Sequence, residues 1–353
     1  GQGIFNNNIV SAAAQNVVAN RQITWESTKS FNIGFDGSFF KNKLNVEFDY
    51  YVKNTDDILL TLPIPLTVGL GAGVQNAGRV ENKGWDLQIG YNDRIGKDIK
   101  IGITGVLSDV KNKVLDLKGT GPYISGFQIT REGDEIGSLF GLQDKGLFQR
   151  QEDITASATQ FGTVKPGDIR YADQNNDGVI NNSDRVIIGS RIPRYTYSAN
   201  LFFEYKGLEL TVFFQGVGKV NGLQIQDAAW AFFNAGSVRD IHLGRWSPTK
   251  SPEENALANY PRFFISQTNN QQTSSYWVDD ASYLKLKTLA VAYNFPMTIL
   301  RKTPFSAFKV YLSGQNVFSI DKVPGYDPEA PLGNPFNYPQ TASFVAGVRV
   351  SLK

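Results

Sequence analysis

Cysteine is absent from this chain of 353 residues, and histidine and methionine occur once each. Without cysteine the chain forms neither disulfides nor thiolate metal sites. The single histidine, His242, argues against a centre built from several histidines and against a Ser-His-Asp triad. No run of about 18 apolar residues exists, which excludes a transmembrane helix. No signal peptide begins at Gly1, so the chain is either mature or starts inside a longer protein.

The formal net charge is only +2, and the basic residues are scattered along the chain. A domain that binds nucleic acid concentrates lysine and arginine in patches or stripes. The charge pattern therefore argues against nucleic acid as a partner.

The strongest signal that is present is a strict two-residue alternation of apolar and polar side chains. Between residues 44 and 52 the even positions are apolar, and the odd positions other than Tyr51 are polar. This period is typical of a strand with one apolar face. The pattern recurs in runs that start near Ile23, Leu44, Trp85, Ile99, Tyr195, Leu208, Leu289, Phe308 and Phe344.

These runs predict about nine strands, several of them as long as a tilted strand needs to be to cross a bilayer core. Strands of soluble sandwiches are usually shorter. The connections alternate between tight turns and long loops, which is typical of outer-membrane barrels. The sequence therefore predicts an all-β fold, a transmembrane antiparallel β-barrel. We expect four long external loops at about residues 60–77, 111–193, 218–277 and 319–340.

The alternation also predicts which side chains meet lipid. We expect the even positions of 44–52 and the odd positions of 85–91 to face lipid, because a slip of one residue would invert every side chain. The side chains expected in the lumen are Lys43, Glu47, Asp49, Asp86 and Gln88.

The strand count and the final strand lead to two expectations about the chain ends. An odd number of strands cannot close an up-and-down bacterial barrel, and open edges are costly in lipid. We therefore expect this chain to be a fragment that is missing everything before Gly1. In the last strand the outward positions are even, so the next outward place follows Lys353, and we expect a terminal phenylalanine there.

An acidic loop carries oxygen ligands at the spacing of a twelve-residue calcium loop. Such a loop coordinates from positions 1, 3, 5, 7, 9 and 12 and has glycine at position 6. Gly178 is that glycine, and Asp184 replaces the usual glutamate at position 12. The sequence predicts a structural Ca²⁺ site, with Mg²⁺ not distinguished, formed by Asp173, Asn175, Asp177, Val179, Asn181 and Asp184. The alternative is an Asx-rich surface turn, since the same residue types dominate turns.

Three of the five tryptophans, Trp230, Trp246 and Trp277, fall in the third long loop. Aromatic faces suit sugar rings or the apolar surface of a partner, so we expect these side chains to contact a substrate or a lid. Tyr326 in the last loop is a fourth candidate. The alternative is that a loop of this length builds its own small core and that Tyr326 shapes a turn.

A series of short motifs, in order along nearly the whole chain, resembles the C-terminal half of the barrel of a SusC/RagA-type TonB-dependent transporter. The motifs are Trp25-Glu26, Gly34 to Asp36, Tyr50-Tyr51, Thr55 to Leu59, Asn76 to Gly78, Val80 to Asp86, Pro166 to Tyr171, Asp280 to Leu286, Gly314 to Asn316 and Gly325 to Glu329.

The resemblance implies a 22-stranded barrel in the bacterial outer membrane, of which this chain holds about the last nine strands. It further implies an N-terminal plug, opening by TonB, and import of oligosaccharides or peptides together with a SusD-type surface lipoprotein. The plug and the TonB-contacting segment have no counterpart in this chain.

Two other classes of function compete with transport. One is a structural or adhesive β protein of the cell envelope with a calcium-stabilised loop. An enzyme is not expected, because carboxylates such as Glu132, Asp134 and Glu135 show no pattern that fixes an acid/base geometry. Dependence on detergent or outer-membrane lipid separates the barrel from a soluble β protein.

Overall fold

The computed structural model describes residues 2–5, 8–11, 15–61, 64–265, 269–323, 327–330, 338 and 340–353. Within these residues the largest sheet is antiparallel and has nine strands, each paired with its neighbours in the chain. The strands are β1 Ser27–Phe39, β2 Leu44–Asp56, β3 Arg79–Ile95, β4 Ile99–Asp116, β5 Tyr195–Tyr205, β6 Leu208–Gly218, β7 Tyr283–Asn294, β8 Phe305–Asp321 and β9 Ser343–Leu352. The predicted all-β antiparallel architecture is confirmed.

Cross-strand register places the apolar side chains on one face of this sheet. Phe48 lies opposite Leu87, and Tyr50 lies opposite Trp85. On the other face Gln88 Nε2 donates to Glu47 Oε2 at 3.0 Å, and the pattern continues with the Lys100–Glu204 ion pair at 2.7 Å. The two faces that the alternation predicts are therefore present.

Lys43 departs from the expectation that it faces the lumen. It lies in the tight turn before β2, and its Nζ contacts Asp93 Oδ1 at 2.7 Å. Asp93 also accepts a hydrogen bond from the Tyr91 hydroxyl, and Tyr91 belongs to the apolar face. A residue in a turn is not bound by the strand period, which explains the error.

The alternation is interrupted on β7 by a bulge. Phe213 of β6 pairs with Thr288, but Phe214 pairs with Leu286, so Lys287 is the extra residue. A bulge of this kind reverses which positions face each side. Leu289 continues the apolar face on one side of Lys287, and Leu286 continues it on the other.

Short turns join the strands at one end of the sheet. The β5–β6 turn is Lys206-Gly207, with left-handed φ angles of 49° and 88°. Left-handed angles at both central residues define the type I′ turn, whose twist matches that of a hairpin. The β7–β8 connection contains the helix α1, Met297–Leu300.

Long connections join the strands at the other end, over residues 57–78, 117–194, 219–282 and 322–342. We call them the first to fourth long loops. They start and end at other residues than the alternation indicated, because β4 runs to Asp116 and β8 to Asp321. The first strand also begins at Ser27 rather than near Ile23, and Trp25 before it is 94% exposed.

The long loops hold short elements of their own. The strands are Leu59–Thr61, Val74–Asn76, Tyr123–Ser125, Gln128–Thr130, Ser138–Leu142, Asp144–Leu147, Ile169–Tyr171, Arg185–Gly189, Asn221–Leu223 and Val278–Asp280. The helices are Gln151–Thr155 and Pro252–Ala256, with 3₁₀ turns at Leu66–Val68, Asn182–Asp184, Gln226–Ala228, Phe233–Ala235, Asp240–His242 and Ser275–Trp277. A separate hairpin pairs Gln2–Phe5 with Asn8–Ser11.

The second and third long loops share one apolar core. Its buried members are Leu139, Leu142, Ile169, Tyr171, Ile180, Leu223, Ala229, Tyr260 and Trp277. The two loops are also joined by an ion pair between Arg262 Nε and the fully buried Asp168 Oδ1 at 2.8 Å. Together they form one folded unit at this end of the sheet. In the described part of the chain, no helix has both the length and the apolarity needed to cross a membrane.

Candidate functional site

An ion-pair network ties the fourth long loop to the polar face of β7. Lys285 Nζ lies 2.5 Å from Asp327 Oδ1 and 3.0 Å from Glu329 Oε2. Lys287, the bulge residue, places its Nζ 2.9 Å from the same Glu329 oxygen. Lys285 is only 4% exposed, so this ammonium group depends on its carboxylate partners.

Further hydrogen bonds hold the two carboxylates in place. The Tyr283 hydroxyl donates to Glu329 Oε1 at 3.0 Å, and the backbone N–H of Gln340 donates to Asp327 Oδ2 at 3.0 Å. Burial acts to raise the pKa of both acids, but hydrogen bonds outweigh it and keep each pKa below its ordinary value. For Asp327 these bonds come from Lys285 and two backbone N–H groups, and for Glu329 they come mainly from Lys287 and Lys285. The charged side chains of Asp327 and Glu329 therefore anchor segment 327–330 to β7. The neighbouring candidate, Tyr326, lies outside the described residues.

A cavity of about 380 Å³ lies beside this network, where the second, third and fourth long loops meet the sheet. Its polar lining comes from Arg191, Asn221, Tyr283 and Glu329. Its apolar lining includes Val217 and Val220. A guanidinium, an amide and a phenol around a partly apolar floor can bind the polar groups of a small ligand.

The three tryptophans of the third long loop have different surroundings. Trp277 is 6% exposed, and its indole N–H donates to the Asn270 carbonyl at 2.9 Å, so it is a core residue rather than a contact surface. Trp230 packs against the same core, and Trp246 is also half-buried. Within the described residues the indole nitrogens of Trp230 and Trp246 are buried without a hydrogen-bond acceptor. A small core for this loop, the alternative weighed above, accounts for Trp277.

The single histidine is structural. His242 is fully buried; its Nδ1 accepts from the backbone N–H of Arg239 at 2.9 Å, and its Nε2 donates to the Ala229 carbonyl at 3.0 Å. Burial lowers its pKa, which favours the neutral ring that these two bonds require.

The acidic loop is closed by hydrogen bonds among its own residues. Asp173 accepts from the backbone N–H of Gly178 at 2.8 Å, and Asp177 accepts from that of Val179 at 2.8 Å. Asp184 is fully buried and accepts from the backbone of Gln174 and of Asn181, each at 2.8 Å. Among the described residues, no three or more His, Cys, Asp or Glu side chains are arranged to hold a metal ion. The predicted Ca²⁺ site also uses amide and carbonyl oxygens, from Asn175, Val179 and Asn181, and it stays a prediction.

The fold and its faces define a class of protein, a transmembrane β-barrel of the outer membrane. Residues 1–317 match the family described as TonB dependent receptor-like, beta-barrel, and the chain belongs to it. TonB-dependent receptor P3 of Formosa agariphila is 32% identical over 357 residues, which cover 94% of this chain and 35% of that protein. TonB-dependent receptor SusC of Bacteroides thetaiotaomicron is 23% identical over 343 residues, 93% of this chain and 32% of that protein.

Among solved structures, the RagAB peptide transporter matches 99% of this chain and 38% of its own, with a TM-score of 0.80 and 21% identity. This likeness shows the barrel fold. The chain spans about a third of the length of the curated relatives that it matches.

Proposed function

We propose that the whole protein imports oligosaccharides or peptides across the outer membrane, powered through TonB, with a SusD-type lipoprotein as its surface partner. The proposal is supported by membership of the TonB-dependent receptor family and by the likeness to SusC and to the RagAB fold. The family comprises transporters rather than enzymes. Because this chain covers only part of its relatives, the plug, the TonB contact and the lipoprotein contact belong to the proposal.

The observation that carries the proposal is the polar face of the sheet and what lies at its loop end. A polar wall inside an apolar barrel surface offers a water-filled path. At the end of this wall the second, third and fourth long loops surround the cavity lined by Arg191, Asn221 and Tyr283. We infer that a solute entering on the loop side contacts these groups.

The experiment is uptake by cells that carry the full-length gene or its deletion. Fluorescent peptides and fluorescent oligosaccharides are supplied separately, with and without a functional TonB. Transport predicts that one of the two solute classes accumulates only when both the gene and TonB are present. Cells that adhere or bind solute at the surface without TonB-dependent accumulation would support the structural or adhesive alternative instead.

A paired variant tests the cavity itself. Arg191→Gln removes the guanidinium from the cavity lining, and Lys97→Gln changes an exposed lysine in the β3–β4 turn at the opposite end of the sheet. We expect Arg191→Gln to lower uptake about tenfold at equal surface expression, the loss typical of one charge-assisted hydrogen bond. Lys97→Gln should transport normally.

We further propose a structural role for Ca²⁺ in the acidic loop. The support is the ligand spacing in the sequence and the convergence of backbone N–H groups on Asp173, Asp177 and Asp184, which holds these carboxylates in fixed orientations. Each carboxylate oxygen keeps a second lone pair for a cation. Bound Ca²⁺ would order the second long loop and have no catalytic part.

A further inference from the structure

Strand register gathers lysines that are far apart in the sequence. Lys83 of β3 lies directly opposite Lys111 of β4, and Lys113 follows two residues along on the same face. This is the face of Trp85 and Leu87, the apolar side of the sheet. Lys83, Lys111 and Lys113 are all exposed. We call them the basic patch.

The basic patch lies directly beyond the aromatic end of the apolar face. Trp85 and Tyr50 form a cross-strand pair, and Lys83 lies two residues before Trp85, nearer the long loops. Lys83 Nζ lies 5.8 Å from the centre of the Tyr50 ring. Two residues of a strand span about 7 Å. Since Trp and Tyr of a barrel lie at the membrane interface, the patch falls at the level of the lipid headgroups.

Lys83 and Lys111 place two like charges directly opposite each other. Like charges directly opposite each other in a sheet are destabilising. Within the described residues none of the three lysines forms an ion pair, and two acids of this region are paired with arginines: Asp109 with Arg194 at 2.9 Å, and Asp134 with Arg131 at 2.6 Å. The remaining carboxylates at this place, Glu81 and Glu135, lie opposite Lys113 and against the Ser190 hydroxyl respectively.

The lysines also line a cavity that is open to a ligand. It measures about 460 Å³, and its lining includes Lys83, Lys111 and Lys113 on the sheet. The lining also holds Arg194 and three acids, Glu81, Asp134 and Glu135, so its basic character is concentrated at Lys83 and Lys111. Ammonium groups bind phosphate as point charges, and several converging on one cavity suit a dianionic group. A phosphate bound between Lys83 and Lys111 would relieve their repulsion.

We propose that the basic patch binds the phosphorylated headgroup of a lipid in the outer leaflet. The assignment rests on the expectation that the long loops are external, and not on which solute the barrel transports. It differs from general contact with lipid, because it predicts a site that prefers a dianionic phosphomonoester on an acyl-chain-bearing molecule to a zwitterionic phosphodiester such as phosphatidylcholine. Apolar side chains just below, such as Leu87 and Ile89, would meet the acyl chains.

The test uses the purified full-length transporter in a neutral detergent. Its unfolding temperature is measured against added lipid A, phosphatidylcholine and inorganic phosphate. We expect lipid A to raise the unfolding temperature, phosphatidylcholine to leave it unchanged, and inorganic phosphate to act only at far higher concentration. The double variant Lys83→Gln/Lys111→Gln should need at least about tenfold more lipid A for the same shift, given the usual contribution of each basic residue at a membrane surface.

The control is Lys97→Gln/Lys302→Gln, which removes two exposed lysines at the short-turn end and should respond to lipid A as the wild type does. A second readout guards against mere misfolding: without lipid, the double patch variant should be at least as stable as the wild type, because a repulsion is removed. An unchanged lipid A response would overturn the proposal. A loss of stability without lipid, or equal protection by inorganic phosphate and lipid A, would also overturn it.

Discussion

At the scale of single residues, Asp279 is a half-buried acid in the third long loop. Its Oδ2 accepts a hydrogen bond from Gln224 Nε2 at 2.6 Å, and burial raises its pKa to about 6. Because the folded-state pKa lies above the ordinary value of 3.8, the folded loop binds this proton more tightly than the unfolded chain does. Its contribution to stability is full below about pH 4 and is lost as the pH rises through about 6.

Asp279→Asn should remove this dependence. We expect the variant to unfold at a higher temperature than the wild type at about pH 8 and at a similar temperature at about pH 4, because asparagine carries no charge to bury. Thermal unfolding followed at both pH values measures it. Asp227→Asn, in the same loop, should keep the wild-type pH profile. If Asp279→Asn kept that profile as well, burial of this acid would not be its cause.

The calcium hypothesis is tested at its ligand residues. If Ca²⁺ binds, adding it to the chelator-treated protein should slow proteolysis of the second long loop, and Asp173→Ala/Asp177→Ala should abolish the effect because a hard cation needs several oxygens. Asp240→Ala, on the third long loop, serves as the control. Calorimetry measures Ca²⁺ binding directly. If the wild type binds no Ca²⁺, or if Asp173→Ala/Asp177→Ala binds it as well as Asp240→Ala does, the acidic loop is an Asx turn and not a Ca²⁺ site.

At the scale of elements, the network of Lys285, Asp327 and Glu329 fixes the fourth long loop against β7. Removing one partner of a buried ion pair leaves an uncompensated charge, at a cost of roughly 3 kcal/mol. We expect Lys285→Met to increase hydrogen exchange in segment 327–330. Lys285→Met/Asp327→Leu should be less destabilised than either single variant, because the unpaired charge is gone. Unchanged exchange in Lys285→Met would show that the loop is held by other contacts.

The shared core of the second and third long loops should depend on Trp277. Trp277→Ala deletes a buried side chain from this core, for which we expect a loss of about 3–5 kcal/mol in the free energy of unfolding of the loop unit. Limited proteolysis of the loops measures it. Trp25→Ala is the matched control, since Trp25 is 94% exposed. Equal protease resistance of the two variants would contradict the assignment of Trp277 to the core.

The strands were predictable from the sequence because their signal is local. Alternation over residues 44–52 fixes the face of each side chain, and the register with β3 agrees. The bulge at Lys287 left no comparable signal, because a bulge is defined by pairing with the neighbouring strand. Trp277 was ambiguous for a similar reason: an aromatic residue in a long loop reads the same whether it faces solvent or a core.

Contacts between distant residues were beyond sequence reasoning. Lys285 and Asp327 are separated by 42 positions, and Arg262 and Asp168 by 94. Nothing in the local pattern around Lys285 distinguishes an anchored ammonium from a solvated one. The cavity lined by Arg191 and Tyr283 was missed because its lining comes from several loops that only the fold brings together.

At the scale of the whole molecule, nine strands with one apolar and one polar face form a segment of an outer-membrane barrel. The polar face carries its own ion pairs, including Lys309 with Glu209 at 2.5 Å. Long loops gather at one end, where two of them share a core. This arrangement gives the barrel segment a polar face and a folded unit of loops at one end.

The most direct test of this account is the accessibility of single cysteines at neighbouring positions of β2. The chain contains no cysteine of its own, so Phe48→Cys and Asp49→Cys in the full-length protein each place a thiol on a chosen face of the sheet. In native membranes we predict that Phe48→Cys reacts with a lipid-soluble maleimide and not with a charged, water-soluble one, and that Asp49→Cys shows the reverse. The opposite labelling, or water-soluble labelling of both, would contradict the barrel orientation.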